Sequence, residues 1–333
     1  MVFLLAEVLR YSARPTNSFH FFSGVMFNRM AVISMKYRAE YFALRGFSAL
    51  VRCLPRQAAL TLGRRVGRLL PRVMRSRYRL AVENMRMALP ELSPSEIEEN
   101  VYKNFEHISI CSVEMLRLDM LKPGENDIDR YFELSDLHHL EDAIALQKGV
   151  IVLTAHLGFW EVGQFVFPEL GIPFDVVAKP LKNPLSDRFV ENIRTSFGSG
   201  VLNSRKGARR ILKSLQEQHV VGILLDQHIS PPGSVVTEFF GRKAYTTSAI
   251  TTLAMKYQIP IVPLFCLRQE DNRYKIWAEE MLLLSNAGEN ALVENTQKLT
   301  DIIEVAIRKD VTQWFWMHRR WRVKPDKQRD ENT

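Results

Sequence analysis

The sequence predicts an α/β fold, a mixed central sheet flanked by helices and preceded by an N-terminal amphipathic helical region, and three observations predict it. Short, nearly continuous apolar runs at residues 149–154, 174–178, 220–225 and 260–267 alternate with helical stretches. Strands of that texture are buried on both faces, which requires helices on each side of a sheet. The chain before them carries helix-period patterning. Its 333 residues, 46% apolar and 25% charged, are enough for a sizeable core and exclude a disordered chain. No linker-like run divides them, so one continuous domain is expected.

Residues 1–34 lack a compact apolar run with a small-residue cleavage site, and Met35-Lys36 reads as an initiation point. A poorly structured upstream extension is expected there. No run approaches the ~18 consecutive apolar residues of a spanning helix, since Asn28 and Arg29 interrupt the best early one. Over 37–54, Arg38, Arg45 and Arg52 recur in heptad spacing and leave Tyr41, Phe42, Leu44, Phe47, Leu50, Val51 and Leu54 as a wide apolar face. Nine arginines and no acid lie between Arg52 and Arg79, more than the whole net charge of +8. A broad apolar face beside such a basic segment suits a helix lying on an anionic membrane. Residues 35–90 are therefore read as membrane-associating helices, continuous with an α/β domain over 91–325 and a polar tail at 326–333. Cys53, Cys111 and Cys266 are too few and scattered for a disulfide framework or paired zinc ligands, and they fit a reducing compartment.

Ser93-Pro94-Ser95-Glu96 offers an N-cap, a proline at the first helical position and a capping-box glutamate. The helix it opens keeps Ile97, Val101, Phe105 and Ile108 on one face. A charged helix over 137–147 precedes the first strand. At that strand's end stands Thr154-Ala155-His156-Leu157-Gly158-Phe159-Trp160-Glu161. Five residues along a continuous helix would separate His156 from Glu161 by ~140°. Gly158 permits the break that lets them meet. The expectation is that the Glu161 carboxylate accepts from one ring nitrogen of His156 and leaves the other to take a proton from a hydroxyl nucleophile. Phe159 and Trp160 would wall an apolar cleft.

Lys179, Lys182, Arg188, Arg194, Arg205, Lys206, Arg209 and Arg210 supply cations that suit a phosphorylated substrate. For Arg209, Arg210 and Lys213, on a periodic helix over 207–215, a solvated face is the simpler reading. Asp226 closes a buried strand, where a carboxylate needs either an arginine partner or a role supporting the histidine. Phe239-Phe240-Gly241-Arg242 reads either as the entrance for an apolar ligand chain, with Gly241 allowing a close turn, or as a hairpin corner packed on the core. Trp314, Phe315, Trp316 and Trp321 interleave with His318, Arg319, Arg320 and Arg322, a composition suited to a headgroup boundary or to stacking on single-stranded nucleic acid.

The segment His156-Leu157-Gly158-Phe159-Trp160-Glu161 resembles the His-x4-Asp/Glu box of glycerolipid acyltransferases, and more closely that of the bacterial lipid A late acyltransferases. The resemblance continues through Lys182-Asn183-Pro184, Arg194, Leu225-Asp226-Gln227, Glu238-Phe239-Phe240-Gly241 with Thr246-Thr247, and Trp316-Met317-His318-Arg319-Arg320-Trp321. It implies a glycerolipid-acyltransferase-like fold, His156 as general base on a sugar hydroxyl, Glu161 orienting it, and Arg194 and Asp226 as further site residues. Lys179, Asn183, Gly158 and Gly241 are grouped with these as substrate-binding candidates. His228 departs from the pattern, standing where an aspartate often follows Asp-Gln.

The expected function is transfer of a fatty acyl chain from an acyl carrier protein thioester to a glycolipid hydroxyl, without a cofactor or metal, on the cytoplasmic face of a bacterial inner membrane. An anionic glycolipid acceptor and the membrane surface are the other expected partners; nucleic acid is not one, because no recognised motif accompanies the charge. A metal-dependent hydrolase using His156, Glu161, Asp226 and His228, or a basic non-enzymatic membrane-binding protein, are the competing readings.

Overall fold

The computed structural model of the chain describes residues 34–204 and 207–322. The expected extension before Ser34, the tail at 326–333 and the cations Arg205 and Lys206 lie outside the described residues.

Four helices come first: α1 (Met35–Cys53), α2 (Arg56–Val73), α3 (Arg75–Ala88) and α4 (Pro94–Met115). Ser34 caps α1 by accepting from the Tyr37 amide, and Leu54, next to Pro55, turns extended and ends it. The capping box of α4 forms as expected: Ser93 Oγ accepts from the Glu96 amide, and the Glu96 carboxylate accepts from the Ser93 amide at 2.8 Å. Ile97, Val101, Phe105 and Ile108 are all buried.

Then follow α5 (Asp127–Tyr131), β1 (Phe132–Ser135), α6 (His138–Ala145), β2 (Val150–Thr154), α7 (Gly163–Glu169), β3 (Phe174–Ala178), α8 (Pro184–Arg194), β4 (Gly200–Asn203), α9 (Gly207–Gln216) and β5 (Val220–Leu224). The hairpin β6 (Ser234–Phe239) and β7 (Arg242–Thr247), α10 (Ala249–Tyr257), β8 (Ile261–Arg268), β9 (Tyr274–Ala278) and α11 (Ala291–Lys309) complete the order. A seven-stranded sheet runs β1-β9-β8-β2-β5-β3-β4. Only β8 and β9 pair antiparallel in it, so the sheet is mixed as expected. The four apolar runs are β2, β3, β5 and β8. Alternate residues of β2 feed opposite cores: Ile151 and Leu153 pack on one face of the sheet, Val150 and Val152 on the other.

The basic helices are less exposed in charge than the linear pattern suggests. Arg52 pairs with Asp119, Arg56 with Glu114, and Arg64 and Arg68 flank Glu106. Acids absent from the local sequence arrive from α4 and the turn after it. Arg65, Arg72, Arg75 and Arg79 remain on the surface.

The aromatic carboxyl-terminal segment corrects an expectation. Its composition suits a headgroup boundary or a nucleic-acid platform, yet Trp314, Trp316 and Arg320 are among the largest fully buried side chains of the described residues. Phe239 and Phe240 pack against these tryptophans and are buried with them, so they do not line an entrance. Of the two readings of that turn, the hairpin corner holds. Phe240 and exposed Gly241 both take positive φ, 53° and 67°, as a two-residue turn matching strand twist requires. The segment is held by two buried amides. Asn84 Nδ2 donates to the carbonyls of Trp316 and His318 at 2.8 and 2.7 Å, and Asn104 Nδ2 donates to those of Thr312 and Trp314.

Removing the Asn84 amide takes the side-chain donor from the buried Trp316 carbonyl and one of two donors from the His318 carbonyl, which keeps the Arg320 amide. Asn84→Ala is expected to cost about 1–3 kcal/mol, read as a lower urea midpoint, while Arg65→Ala on the surface leaves the midpoint unchanged.

Candidate active site

The parallel ladder between β2 and β5 builds the site. Its register pairs Val150 with Val220 and runs without slip to Thr154 with Leu224. The Leu225 amide then donates to the Thr154 carbonyl at 3.2 Å. Carried two residues further, the same register puts His156 opposite Asp226, both beyond the carboxyl ends of their strands, the edge where open α/β sheets place their ligand sites.

The His156 amide donates to Asp226 Oδ2 at 3.1 Å, and its ring Nδ1 lies 2.9 Å from Oδ1. Trp314 Nε1 donates to Oδ2 at 2.7 Å. Burial alone would push the Asp226 carboxyl up, but the His156 charge and these hydrogen bonds outweigh it and hold the group down at about 2. An ionised carboxylate can only accept, so Nδ1 carries a proton, and in the neutral ring Nε2 then carries the lone pair. The His156 side chain is 20% exposed, and that of Asp226 is 1% exposed. Gln227 Nε2 sits 3.2 Å from His156 Nε2, and the rings of Trp160 and Phe315 stand 5.3 and 6.1 Å from the imidazole.

Here the structure departs from the expectation for Glu161. Its carboxylate does not reach the imidazole; it is buried and engaged by Arg194, whose Nε donates at 3.0 Å and whose Nη2 donates to the other oxygen, with Gln164 Nε2 adding a third bond. The single-turn 3₁₀ helix Trp160–Val162 turns Glu161 inward, away from His156. Burial works against the Arg194 charge, but Glu161 beside it prevails and its pKa is raised. The orienting carboxylate comes instead from 70 residues further along. Of the two roles left open for Asp226, support of the histidine is the one found.

Gly158 permits the break in the box, with φ +58°; a Cβ there would lie 1.5 Å from the Cys266 carbonyl oxygen. Its amide donates to the Gln313 carbonyl, and the Phe315 amide donates to the His156 carbonyl, so the terminal segment pairs with the box loop as a short strand. Its carbonyl meets His107 Nε2 at 3.2 Å and Cys111 Sγ at 3.3 Å. Burial, with Arg268 nearby, drives the His107 pKa down to about 3, so the ring is neutral. Sequence reasoning missed Trp314, His107, Cys111 and Gln227 as site supports. Only Gln227, adjacent to Asp226, had a local signal.

The remaining candidates scatter. Asn183 caps α8 by accepting from the Leu185 and Ser186 amides, and its Nδ2 donates to the Tyr37 carbonyl and to Glu40, so its polar groups serve the scaffold. Lys179 is exposed just past the carboxyl end of β3, on the His156 edge of the sheet. Lys182, Arg188, Arg209 and Arg210 are exposed, and Gly241 lies in the hairpin turn. The set His156, Glu161, Asp226 and His228 that a metal hydrolase would use is not assembled. Arg194 holds Glu161, and among the described residues no three His, Cys, Asp or Glu side chains are grouped to hold an ion.

A family model described as bacterial lipid A biosynthesis acyltransferase matches residues 30–323. A lipid A biosynthesis lauroyltransferase of Escherichia coli (strain K12) is 28% identical over 302 residues, covering 89% of this chain and 95% of the relative. A lipid A biosynthesis palmitoleoyltransferase of the same organism is 24% identical over 274 residues, 82% of this chain and 87% of the relative. A phosphatidylinositol mannoside acyltransferase of Mycolicibacterium smegmatis is 24% identical over 214 residues, 62% and 67% of the two chains.

The depressed Asp226 carboxyl makes a pH prediction. Its folded value, about 2, lies below the ordinary 3.8, so the native state binds fewer protons and the group adds stability that is full above about pH 4 and lost as pH falls toward about 2. Asp226→Asn is expected to flatten the fall of the urea midpoint in that acid window; an unaltered slope would mean that Asp226 is not held ionised.

Proposed function

The chain belongs to the bacterial lipid A biosynthesis acyltransferase family and is an acyltransferase, and from that premise we propose that it transfers a fatty acyl group from an acyl carrier protein thioester to a hydroxyl of a lipid A precursor, with His156 as general base. The observation that carries this reading is the His156–Asp226 contact at the carboxyl edge of the sheet. Asp226 holds the proton on Nδ1, which leaves the Nε2 lone pair to take the hydroxyl proton as the oxygen attacks the thioester carbon. The imidazolium so formed is stabilised by the carboxylate and returns its proton to the departing thiolate. Glu161 and Arg194 act on the loop: their buried ion pair fixes the turn after His156.

The acceptor assignment is supported by the relatives, whose names specify transfer of lauroyl and palmitoleoyl groups in lipid A biosynthesis. The mannoside acyltransferase shows that a related chain of similar sequence is named for another glycolipid. For the donor, exposed Arg65, Arg72, Arg75 and Arg79 form a basic surface suited to an acidic carrier. Arg64 and Arg68 contribute less, because Glu106 lies between them.

Attachment to the cytoplasmic leaflet of the inner membrane is supported by α1 and α2. One face of α1, with Leu44, Ser48 and Val51, packs inward, and Tyr41 meets Phe189 of α8. The other exposes Met35, Phe42 at 68% and Leu50 at 51%. On α2, Leu69 and Val73 are exposed beside the row of Arg65, Arg68 and Arg72. Apolar side chains framed by arginines suit the headgroup boundary. Among the described residues no helix is long and apolar enough to cross a membrane.

His156→Ala is expected to lower acyl transfer by ~10²–10⁴ with the unfolding midpoint kept, in an assay with acyl carrier protein donor and a detergent-dispersed lipid A precursor. Near-normal turnover would remove His156 from the chemistry, and loss of wild-type turnover to a strong chelator would favour the metal-dependent reading. The double variant Phe42→Glu and Leu50→Glu is expected to release the protein from vesicles containing anionic lipid while leaving its circular dichroism unchanged; vesicle binding at the wild-type level would place the attachment elsewhere.

A further inference from the structure

The lone pair that must receive the hydroxyl proton is already engaged. In the neutral ring, with Nδ1–H committed to Asp226, His156 Nε2 can only accept, and the group 3.2 Å from it is the side-chain amide of Gln227. The nitrogen end must face the ring, because the amide oxygen would set lone pair against lone pair. An acceptor hydroxyl at hydrogen-bond distance from Nε2, about 2.8 Å, therefore takes the place of the amide. The reacting carbonyl carbon then lies ~3–3.5 Å from that hydroxyl oxygen. A displaced amide pivoting on the same backbone stays beside the carbonyl oxygen.

We propose that Gln227 is a catalytic hydrogen-bond donor, whose amide leaves His156 Nε2 to the acceptor hydroxyl and donates to the oxyanion that forms on the thioester carbonyl. In the first step the hydroxyl oxygen bonds to the carbonyl carbon, its proton passes to Nε2, and the carbonyl π pair moves onto oxygen. In the second the pair returns, the carbon–sulfur bond breaks, and the Nε2 proton passes to the thiolate. Charge develops on one oxygen between the two steps, and that is where an aligned N–H lowers the barrier. The inference rests on the reading of His156 as the base.

The surroundings favour this residue over its neighbours. Gln227 follows Asp226 directly, so the strand that places the carboxylate also places the amide. Beneath its backbone lies Arg320, fully buried, whose Nη1 donates to the Tyr245 carbonyl at 2.6 Å and approaches the Gln227 carbonyl at 3.5 Å. Its Nη2 donates to Thr246 Oγ1 at 2.6 Å. The two terminal nitrogens of this guanidinium are committed to the scaffold, while its Nε is buried without a hydrogen-bond partner among the described residues; the group ties the β7 strand to the loop and keeps the Gln227 backbone in place. Two backbone amides near the ring are also committed, that of Gly158 to Gln313 and that of Phe315 to His156. A donor held by a rigid backbone through a side chain of a few bonds meets the need for a group that is both preorganised and able to yield to the hydroxyl.

Gln227→Met keeps the size and removes the donor, and Gln227→Glu replaces it with a group that repels an oxyanion. Both are to be measured beside His156→Ala with carrier-protein donor and detergent-dispersed acceptor, each variant's thermal midpoint being checked. The expected result is a fall in kcat of ~10²–10³ for Gln227→Met with KM for both substrates little changed, and a larger fall for Gln227→Glu. Hydrolysis of the thioester by water, which forms the same oxyanion, should fall in step. Gln227→Met with kcat at or above the wild-type value, or with a loss confined to KM for the acceptor, would overturn the proposal and leave the amide as a plug on the resting base. An inactive His156→Ala beside an active Gln227→Met sinks the role of Gln227 alone; an active His156→Ala sinks the base on which it rests.

Discussion

The parallel register of β2 with β5 is the constraint on which the rest of the site depends. Each strand alternates between two cores, so a one-residue slip would turn Ile151, Leu153, Val221 and Ile223 toward the wrong layer. Burying a side chain of that size contributes roughly 1.5–3 kcal/mol, so several together exclude the slip. The same offset, continued past the last ladder pair, sets His156 against Asp226. The candidate site and hydrophobic burial therefore share one specification: His156 and Asp226 cannot drift apart without the core drifting with them.

Around this contact the protein manages buried charge in three ways. Asp226 remains ionised because the His156 amide, the His156 ring and Trp314 Nε1 converge on it. Glu161 and Arg194 neutralise each other within the fold. Arg320 has no carboxylate in direct contact among the described residues; burial lowers its pKa to about 10, Asp226 opposes that fall, and the Tyr245 carbonyl, Thr246 Oγ1 and the Phe239 ring engage the guanidinium. His107 takes the opposite course and stays neutral, so that one ring can support the Gly158 carbonyl without adding a charge behind the site. These groups make the carboxyl-terminal segment part of the candidate site: Trp314 reaches Asp226, Asn104 of α4 holds the Trp314 carbonyl, and Asn84 of α3 holds the Trp316 carbonyl.

What was legible in the sequence was local. Four apolar runs gave four central strands within a residue or two at each end, and the capping box at Ser93 gave the start of α4, because burial on both faces and helix-end hydrogen bonding act within a few residues. The box around Gly158 was legible too, since one glycine at positive φ suffices to mark a break. Pairings across the fold were not. Glu161 was assigned to His156 on proximity along the chain, whereas the register supplied Asp226 and α8 supplied Arg194. Arginines between Arg52 and Arg79 looked unopposed because Glu106, Glu114 and Asp119 come from a later helix and turn. The tryptophans near the end looked interfacial because composition does not say that two asparagines will carry the segment into the core.

One helix joins the two ends of the function. α8 begins at Asn183, which caps it and at the same time donates to the Tyr37 carbonyl and to Glu40 of α1. It ends at Arg194, which holds Glu161 of the box. Its eleven residues span ~16 Å, so a rigid strut of that length connects the surface helix to the loop that carries His156. Arg45 over the Phe189 ring at 5.2 Å adds a second attachment along the strut. If α1 rests at the headgroup boundary, the distance from that boundary to His156 is set by α8. A glycolipid whose anchor stays in the bilayer presents its hydroxyls at a limited height above it, and a base carried on a fixed strut meets only those at that height. Under the proposed function, geometry of this kind would select among chemically similar hydroxyls without a pocket contact for each, and the Glu161–Arg194 pair would serve it from the end of that helix without touching the imidazole.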